Sequence, residues 1–449
     1  MKVAVIGAGI SGLAAAYHIK ELSVKEGVEA YVSVFEKEKR AGGTIATQKH
    51  NGYLLETGPN GFLDSKRPTL DLVSSLRMND VLERSARSSA RRYIYNGKNL
   101  ILLPDSPRKF LTSPVLSFSG KLRVIMEPFI AAKKSADDES VASFTVRRIG
   151  KEALENMVAP MVSGIYAGNP ERLSLKSAFP RMAELESTYG SLIKAMIKLK
   201  RGGAPPGVLT SFTGGMGSLT AGLAAALGDC VKTGREAVSI ERSDDKWLVG
   251  FGGEKEAFDA VVTAVPAYVL GKILPAALPF CKTVYYPPLT VVHMGYKTGA
   301  LPDKAGGFGF LTTRKADTTI LGAVFSSNIF GNRAPAGFSL VTAMVGGANA
   351  PLKALLKDDE LISAVSKDLE TILGIKPAPD LARIYRHERA IPNYPVGHPD
   401  AVAGLEREAR KQKGLFLSGN AFYGVGINDS TRNARGTARL VMDHLKEKK

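Results

Sequence analysis

Glycines spaced for phosphate binding lie at the amino terminus, directly after a short apolar run. Lys2–Ile6 predicts a buried strand, and Gly7-Ala8-Gly9-Ile10-Ser11-Gly12 follows at once. A G-x-G-x-x-G motif alone is weak evidence, but this one also opens a predicted helix over residues 13–20. The first glycine permits a tight turn, the second lets the backbone approach a pyrophosphate, and the third lets helix and strand pack closely. We therefore predict that these six residues bind a dinucleotide.

An acidic residue follows at the spacing that ribose recognition requires. Residues 28–35 predict a second strand, and Glu36 closes it, 24 residues after Gly12. A carboxylate at this position can accept hydrogen bonds from both hydroxyls of an adenosine ribose and would repel a 2′-phosphate. We predict Glu36 and the adjacent Lys37 as cofactor-binding residues.

Two further glycine clusters come after this acid, Arg40-Ala41-Gly42-Gly43-Thr44 and Gly58-Pro59-Asn60-Gly61. Glycine lets the backbone approach a ligand closely, and a plain nicotinamide dehydrogenase does not need a second such turn. FAD is longer and extends past this point toward its isoalloxazine ring. Taken together, the clusters favour tightly bound FAD, contacted by Gly43, Thr44 and the cluster from Gly58 to Gly61. An ordinary glycine-rich hairpin is the alternative for this last cluster.

Composition argues against several other kinds of chemistry. The chain has 449 residues, 44% hydrophobic and 23% charged, which is typical of a folded protein. Its two cysteines, Cys230 and Cys281, form no C-x-x-C pair, and H-E-x-x-H is absent. We therefore predict no bound metal and a reducing, cytoplasmic location. We expect neither a signal peptide at the start nor a membrane-spanning helix, because the apolar runs are too short.

The elements that must position these residues alternate between strands and helices near both ends of the chain. This pattern predicts an α/β fold with an FAD-binding, doubly wound Rossmann-type domain assembled from residues 1–75, 208–272 and 385–449. We predict a mixed α/β substrate domain from residues 76–94 and 273–384, and a helical basic region from 95–207. Within these regions we expect helices over 137–142 and 431–445 and an irregular stretch over 100–114.

The carboxyl terminus repeats the order of strand, glycine-rich loop and helix. Residues 414–419 predict a strand, and Gly424-Val425-Gly426-Ile427-Asn428-Asp429 leads toward the last helix. Together with the amino-terminal motifs, this pattern resembles the FAD-containing amine-oxidase superfamily. The resemblance implies that a backbone N–H among Val425, Gly426 and Ile427 faces the pyrimidine end of the flavin, where the helix dipole stabilises the anionic reduced form. It also implies that the backbone of Val238 meets the adenine.

Four internal segments narrow the resemblance to the protoporphyrinogen oxidases. These segments are Arg92-Tyr93-Ile94-Tyr95-Asn96-Gly97, Ser163-Gly164-Ile165-Tyr166-Ala167-Gly168-Asn169-Pro170, Phe325-Ser326-Ser327-Asn328-Ile329-Phe330-Gly331-Asn332-Arg333-Ala334-Pro335 and Ala390-Ile391-Pro392-Asn393-Tyr394-Pro395-Val396-Gly397-His398. One departure is Asn169, where that family often has Asp. With both cofactor-binding ends included, the similarity covers nearly the whole chain.

This resemblance implies a six-electron oxidation of a porphyrinogen to a porphyrin, with hydride transfer to the flavin, reoxidation by molecular oxygen and release of hydrogen peroxide. The substrate is a large apolar disc with carboxylates on one edge, so it needs an apolar slot and a cation. By the resemblance, Arg92 is that cation, Leu311 and Phe330 form apolar walls, and Gly164 and Ala167 let backbone approach the ring. A surface arginine and ordinary packing are the alternatives for these residues. We predict no dedicated catalytic base.

Three other functions stay open on the sequence alone. Coproporphyrinogen III oxidation is the same chemistry on a tetracarboxylate and would want more cations around the slot. An amine oxidase would leave the four porphyrinogen-type segments unexplained. A flavin- or porphyrin-binding scaffold would bind FAD and show no oxygen-dependent turnover.

The net charge of +17 is unevenly distributed along the chain. Residues 77–151 hold 15 Lys and Arg against 7 Asp and Glu. Within this region, residues 117–132 could present an apolar surface beside Lys121, Arg123, Lys133 and Lys134, as in a protein bound to the cytoplasmic face of an anionic membrane. A solvated basic face is the alternative. We find no nucleic-acid motif and predict no nucleic-acid partner, and a homodimer stays open.

Overall fold

The computed structural model describes residues 1–200 and 207–448. Residues 201–206 and 449, which the predicted helical and FAD-binding regions include, lie outside the described residues. In chain order the strands are β1 Lys2–Ile6, β2 Tyr31–Glu36, β3 Thr47–His50, β4 Tyr53–Glu56, β5 Phe62–Leu63, β6 Leu82–Arg84, β7 Arg92–Tyr95, β8 Leu100–Leu102, β9 Leu209–Phe212, β10 Val231–Thr233, β11 Ser239–Ser243, β12 Lys246–Gly250, β13 Lys255–Phe258, β14 Ala260–Thr263, β15 Leu289–Lys297, β16 Gly309–Thr312, β17 Ile320–Phe325, β18 Phe338–Gly346, β19 Leu381–His387 and β20 Leu415–Leu417.

The helices are distributed between and after these strands. They are α1 Ile10–Glu26, α2 Arg67–Ser75, α3 Pro107–Thr112, α4 Phe118–Ile125, α5 Val141–Ile149, α6 Lys151–Ala153, α7 Ala159–Tyr166, α8 Leu175–Ala178, α9 Pro180–Tyr189, α10 Leu192–Lys200, α11 Gly217–Leu227, α12 Ala267–Ile273, α13 Leu278–Cys281, α14 Ser326–Ile329, α15 Asp358–Leu373, α16 His398–Lys411 and α17 Ile427–Glu447. A π-helical turn, Leu154–Val158, joins α6 to α7.

A five-stranded parallel sheet confirms the predicted doubly wound α/β fold. Its strand order is β10-β2-β1-β14-β20, so both ends of the chain and the middle contribute to it. Alternate residues of β1 face opposite sides, as the period of a strand requires. Val3 and Val5 pack in a core with residues of α1 and α17. Ala4 and Ile6 pack in a second core that includes Trp247 of the antiparallel sheet β11-β12-β13.

A second sheet of seven strands has the order β19-β15-β18-β17-β16-β7-β8. One of its faces is covered by α15, whose Leu361, Val365 and Leu369 are fully buried against strand residues. The opposite face of the sheet packs in part against β4, because Leu340 and Leu381 share an apolar cluster with Tyr53 and Leu55. The sheet includes β8 and the whole of β19, whereas the boundaries predicted from sequence placed residues 95–102 and 385–387 in other regions.

Residues 107–200 contain most of the short helices. Arg148 and Glu127, both fully buried, form an ion pair there, and Glu127 Oε1 also accepts from the Leu192 N–H at 2.9 Å. These bonds tie α10 to α5 and to the turn after α4. Among residues 1–200 and 207–448, no helix has the length and apolar character to cross a bilayer.

Local predictions in this region and at the carboxyl terminus were partly wrong. Helix α5 begins at Val141 and not at residue 137, because the Ser140 side chain caps it by accepting from Ser143 N–H at 3.0 Å. The stretch over 100–114 is not irregular, since it contains β8 and α3. The last helix begins at Ile427, four residues before the predicted start, with Gly426 as its N-cap residue.

Candidate functional site

The turn between β1 and α1 has the geometry that its three glycines predict. Gly7 has φ +100°, a conformation that favours glycine. A β-carbon on Gly12 would lie 1.9 Å from the Gly7 carbonyl oxygen, so helix and strand pack too closely for any side chain there. A β-carbon on Gly9 would meet no described atom within 4 Å. The space beside Gly9 is therefore open at the N-terminus of α1, where no side chain caps the helix.

Glu36 lies at the end of β2, beside this turn. Its Oε2 accepts from the Ala8 N–H at 2.8 Å, and its Oε1 accepts from the Glu38 N–H at 2.9 Å. These bonds orient the carboxylate while each oxygen keeps a further lone pair for a ligand hydroxyl. The side chain of Lys37 is exposed and lies 3.4 Å from the Glu38 carboxylate. Of these two predicted cofactor-binding residues, Glu36 directs its side chain at the turn, whereas the side chain of Lys37 does not contact it within the described chain.

The second glycine cluster folds back onto the first. Gly42 donates its N–H to the Ala8 carbonyl at 2.7 Å, and a β-carbon on Gly43 would lie 3.2 Å from the Gly9 α-carbon. Arg40 holds this loop, because its guanidinium donates to the Gly43 carbonyl at 2.7 Å and to the Ile45 carbonyl at 3.2 Å. Arg40 was not among the predicted site residues, although a basic residue just before a Gly-Gly pair was a signal for it.

The third cluster packs against the second through backbone. A β-carbon on Gly58 would lie 2.4 Å from the Thr44 carbonyl oxygen, and one on Gly61 would lie 2.6 Å from the Thr210 carbonyl oxygen. Between them, Pro59 and Asn60 are half-buried. The three clusters therefore form one continuous backbone surface, with Gly43 joining the first to the second and Gly58 joining the second to the third.

Two histidines of the seven-stranded sheet hold the segment just before Gly58. His293 Nε2 lies 3.1 Å from the Glu56 carbonyl oxygen, and His387 Nε2 lies 2.7 Å from the Thr57 carbonyl oxygen. A carbonyl oxygen only accepts, so both Nε2 atoms carry the hydrogen. Neither histidine was predicted to contribute to the site, because no local pattern marks a contact between residues more than 200 positions apart.

The N-terminus of α17 joins the same surface. Ile427 packs in one apolar cluster with Ile45 and Phe62, and Ile10 borders that cluster. These residues lie in or directly after the three glycine clusters, so all three clusters meet α17 there. Gly426 is the N-cap residue and, like Gly9 at α1, supplies no side-chain cap, which leaves backbone N–H groups of the first turn available to a ligand. Val238 is half exposed, in the segment that begins where Arg235 N–H donates to the Glu36 carbonyl at 2.8 Å.

These observations test whether the residues fit FAD, and they do. An open glycine turn at an uncapped helix fits a pyrophosphate. An oriented carboxylate at the end of the second strand fits the adenosine ribose. A second uncapped helix, reached by continuous backbone from the first, fits a group that extends beyond a single nucleotide. An exposed apolar residue, Val238, lies near the ribose acid, where the adenine would lie.

The face of the seven-stranded sheet opposite α15 carries the predicted substrate residues Arg92 and Leu311. Strands β7 and β16 are parallel, with Arg92 opposite Gly309 and Ile94 opposite Leu311. The side chains of Arg92, Ile94 and Leu311 therefore point to one side of the sheet. The α-carbons of Arg92 and Leu311 are separated by one strand spacing and two residues, which is about 8 Å. The Arg92 guanidinium is exposed, stacks on the Phe308 ring at 5.0 Å and makes no ion pair within the described chain.

Helix α7 covers Leu311 and also contacts the cofactor loop. A β-carbon on Gly164 would lie 2.8 Å from Leu311 Cδ2. On another side of the helix, Val162 and Tyr166 share an apolar cluster with Val425. Helical geometry places Met161 and Ile165 between these two packed sides, and both are exposed apolar residues. Neither residue was predicted to contribute to the site, because the sequence of an apolar helix does not distinguish exposed side chains from buried ones.

Ala167 and Phe330 are less exposed to solvent than Leu311. Ala167 ends α7 in a left-handed conformation (φ +47°), and its carbonyl accepts from the Ala348 N–H at 2.7 Å. Phe330 is buried beneath the Arg333 guanidinium, 4.7 Å from the ring centre, and packs with Val324. In this structure Ala167 meets Ala348 through its backbone. Phe330 lies on the same sheet face as Arg92 and Leu311, because it packs with Val324, whose partner on β16 is Gly309.

A cavity of about 730 Å³ lies elsewhere, between α5, α6, the π-helical turn and the segment after β16. Its lining includes none of the predicted site residues. Arg147, Arg314 and Lys315 in its lining are ion-paired with Glu186, Glu171 and Glu155. Since these cations are already neutralised, we do not assign the cavity to the reaction.

The fold and the site define a flavoprotein oxidoreductase built from a dinucleotide-binding sheet and a second, larger sheet. The chain belongs to the flavin-containing amine oxidoreductase family, whose match covers residues 10–442. FAD is accordingly its cofactor, and the predictions of cofactor and enzyme class are confirmed.

Comparisons with individual proteins add detail to the family assignment. The chain is 30% identical to the coproporphyrinogen III oxidase of Bacillus subtilis (strain 168), over 99% of this chain and 98% of that protein. It is 32% identical to the chloroplastic protoporphyrinogen oxidase of Oryza sativa subsp. japonica, over 98% of this chain and 88% of that protein. The fold is similar to a crystal structure from Exiguobacterium sp. 255-15, whose assignment as a protoporphyrinogen oxidase is itself provisional, with a TM-score of 0.86, 24% identity and 99% of both chains covered.

Proposed function

We propose that this chain oxidises protoporphyrinogen IX to protoporphyrin IX in heme biosynthesis, with molecular oxygen as the final acceptor and hydrogen peroxide as the second product. The observation that carries the proposal is the position of α7. One side of it packs on Leu311, on the sheet face that presents Arg92, and another packs with Val425 at the start of α17. A flat substrate placed along the exposed side of α7 would lie between a cation and the flavin loop.

The proposed slot recognises the substrate by shape and by one charge. Arg92 binds a propionate, because its planar guanidinium matches a carboxylate and has no competing acid in the described chain. Leu311, Met161 and Ile165 supply apolar surface for the macrocycle, and Gly164 keeps α7 close to the sheet. We assign Phe330 to a wall of the slot, since it packs with Val324 and Phe308 on the face of Arg92. We assign Ala167 to the backbone edge of the slot at the end of α7.

The cofactor surface has a separate role. We assign it to Gly7, Ala8, Gly9, Ile10, Ser11, Gly12, Glu36, Lys37, Gly43, Thr44, Gly58, Pro59, Asn60, Gly61, Val238, Val425, Gly426 and Ile427. When bound, FAD supplies the hydride acceptor for each of the three two-electron steps. The chain contributes the partial positive charge of the α17 N-terminus, which favours negative charge at the adjacent part of the ring. Arg92 is the one ionisable side chain among the residues that we assign to the slot, so we assign no proton transfer to the chain.

Coproporphyrinogen III is the second candidate substrate, and one observation favours it. The chain covers 98% of the Bacillus subtilis coproporphyrinogen III oxidase and 99% of the Staphylococcus aureus one, and 84% to 95% of the plant protoporphyrinogen oxidases. Against it stands the charge of the slot, because a tetracarboxylate would gain from cations beyond Arg92, and Arg314 at the far end of β16 is paired with Glu171.

Turnover in air decides between the two substrates. The purified holoenzyme is mixed separately with protoporphyrinogen IX and coproporphyrinogen III, and porphyrin fluorescence and hydrogen peroxide are followed together. We expect the higher kcat/KM with protoporphyrinogen IX and three hydrogen peroxide molecules per porphyrin. A higher value with coproporphyrinogen III would transfer the proposal to that substrate, and no turnover of either would overturn it.

We also propose that α4 and the turn after it rest on an anionic membrane surface. Phe118 is 83% exposed and Phe129 79% exposed, and Leu122, Ile125 and Met126 are exposed nearby. Lys121 and Arg123 lie within the same helix. Exposed aromatic residues beside basic ones are typical of a segment in a bilayer interface. The domain boundaries, the cytoplasmic location and the homodimer stay predictions.

Sedimentation with lipid vesicles tests this surface. We expect the protein to bind vesicles containing phosphatidylglycerol more strongly than vesicles of phosphatidylcholine alone, and Phe118→Ser with Phe129→Ser to abolish the binding. The matched control is Val24→Ser with Leu352→Ser, since both residues are similarly exposed at other places. Equal vesicle binding by the two double variants would refute the proposal that α4 and the turn after it contact the membrane.

A further inference from the structure

The loop that leads to α17 has little backbone bonding of its own. Gly419 and Gly424 take φ values of +115° and +110°, which favour glycine. Within residues 419–424, the described chain has one internal backbone hydrogen bond, from Phe422 N–H to the Gly419 carbonyl, and it is long at 3.5 Å. Contacts from outside must therefore fix the conformation of the loop.

Tyr394 provides two of these contacts. Its hydroxyl donates to the Asn420 carbonyl and accepts from the Gly424 N–H at 3.1 Å, so one oxygen joins the two ends of the loop. The side chain is fully buried. Burial raises the pKa of this phenol well above its usual range, so the hydroxyl keeps the proton that it donates.

His398 provides the third contact. Its Nε2 lies 2.9 Å from the Ala421 carbonyl oxygen and therefore carries the hydrogen. Its Nδ1 then accepts from the Ser177 hydroxyl at 2.9 Å. The imidazole stacks on the Tyr394 ring, with 4.3 Å between ring centres. The two side chains thus support each other beneath the loop.

The same tyrosine also contacts the proposed substrate helix. The Tyr394 and Tyr166 rings meet edge to face, 6.0 Å apart, and the neighbouring Asn393 amide donates to the Tyr166 carbonyl at 2.9 Å. Val425 borders the same apolar cluster. A displacement of Tyr394 would therefore move the loop before α17 and the end of α7 together.

We propose that Tyr394 and His398 are positioning residues that set the reduction potential and the affinity of the bound FAD. They do so by holding residues 419–424, and through them the α17 N-terminus, at a fixed distance from the flavin. The proposal rests on the placement of Val425, Gly426 and Ile427 at the flavin given above, but not on the identity of the substrate. Backbone N–H groups stabilise a developing negative charge only while they are held in place.

Tyr394→Phe tests this directly, because it keeps the ring and removes the hydroxyl. Tyr423→Phe is the matched control, since that hydroxyl lies in the same loop but bonds the Glu406 side chain. We expect Tyr394→Phe to weaken FAD binding to the apoprotein about tenfold, the effect of losing two neutral hydrogen bonds. We expect reduced flavin to lose about tenfold more affinity than oxidised flavin, which lowers the two-electron potential by about 30 mV. Tyr423→Phe should match the wild type in both measurements.

A second pair of variants keeps the test decisive if Tyr394→Phe does not fold. His398→Gln retains an N–H near the position of Nε2 and should keep the flavin reduction potential of the wild type, whereas His398→Leu should lower that potential. An unchanged potential in Tyr394→Phe and His398→Leu would overturn the proposal, and so would an equal shift in Tyr423→Phe. None of these measurements uses a porphyrinogen, so they remain interpretable if the proposed substrate is wrong.

Discussion

Gly164 and Leu311 are in such close contact that a single methyl group added to the glycine would lie 2.8 Å from Leu311 Cδ2. The contact joins the helix that borders the flavin loop to the sheet that presents Arg92. Real side chains do not tolerate this distance, so Leu311 would have to move. The width of the proposed slot is therefore set by the absence of a side chain at residue 164.

Gly164→Ala should narrow or distort this slot while leaving the cofactor in place. Leu311 can rotate, because its branched end is flexible, so we expect the variant to fold with normal flavin content. We expect kcat/KM for the porphyrinogen to fall at least about tenfold, equivalent to about 1.4 kcal/mol. The control is Gly436→Ala on the exposed side of α17, where an added β-carbon meets no described atom within 4 Å. Equal kinetics in both variants would remove Gly164 from the slot.

Gly9→Ala should separate cofactor binding from folding. The position has φ −72° and ψ 177°, which alanine adopts readily, and its β-carbon would meet no described atom. We therefore expect the apoprotein to unfold at the wild-type temperature but to bind little FAD, because the methyl group occupies the space of the pyrophosphate.

Gly12→Ala supplies the contrast to Gly9→Ala. Its β-carbon would collide with the Gly7 carbonyl at 1.9 Å, so the apoprotein itself should be destabilised. Flavin absorbance of the purified proteins reports cofactor binding, and thermal unfolding of the apoproteins reports stability. Together they distinguish a loss of FAD binding from a loss of stability. Normal flavin content in Gly9→Ala would refute the proposed pyrophosphate site at the turn between β1 and α1.

Arg92→Ala should raise KM for the porphyrinogen more than it lowers kcat, because in the proposed slot the guanidinium binds a propionate remote from the reacting carbons. The expected loss is about 1.5–3 kcal/mol for one charge-assisted hydrogen bond. Arg87→Ala is the control, since Arg87 is exposed in the same basic stretch but lies outside the sheet. Steady-state kinetics with both variants decide the matter, and an equal change in the two would mean that Arg92 acts as a surface charge.

His293 should make the stability of the protein depend on pH. Burial lowers its pKa to about 4, below the ordinary value near 6.5, so the unfolded chain binds the extra proton first as pH falls. The free energy of unfolding should therefore be highest above pH 6.5 and decrease toward pH 4, by up to about 1.4 kcal/mol per pH unit from this residue. Burial also lowers the pKa values of His18, His398 and His444, which adds slopes of the same sign.

The comparison with His293→Gln isolates the contribution of this histidine. Glutamine retains an N–H donor toward the Glu56 carbonyl and does not titrate. The neighbouring Glu56 has its pKa raised by burial, which opposes the trend in both proteins and cancels in the difference. Denaturant unfolding at several pH values between 4 and 7 should show a shallower slope in the variant. Parallel slopes would mean that His293 is not the responsible group.

Features encoded in consecutive residues could be predicted from the sequence. The turn over Gly7, Gly9 and Gly12 and the acid at Glu36 depend on local order, so strand, turn and helix followed directly. The start of α5 was misjudged, because the helical spacing over 137–142 extends past the true boundary, where Ser140 is the cap. The resemblance to a family supplied Arg92 and Leu311, and the parallel pairing of β7 and β16 places them on one face.

Contacts between distant residues could not be read from local patterns. His293 meets the Glu56 carbonyl across 237 positions, and His387 meets Thr57 across 330. Tyr394 and His398 were noted only as members of a family segment, and their hydrogen bonds reach carbonyls of the loop before α17 that lie 26 and 23 positions away. The exposed pair on α7, Met161 and Ile165, was likewise visible only after the helix had been placed between Leu311 and Val425.

Anaerobic mixing tests most directly whether a porphyrinogen bound beside α7 reduces the flavin. Purified holoenzyme is mixed without oxygen with an excess of protoporphyrinogen IX, and flavin absorbance is followed by stopped flow. We predict a rapid loss of the oxidised flavin spectrum that saturates with substrate concentration, and its return when air is admitted. The rapid loss should be slowed in Gly164→Ala. An oxidised flavin spectrum that persists with both protoporphyrinogen IX and coproporphyrinogen III would contradict this reduction of the flavin.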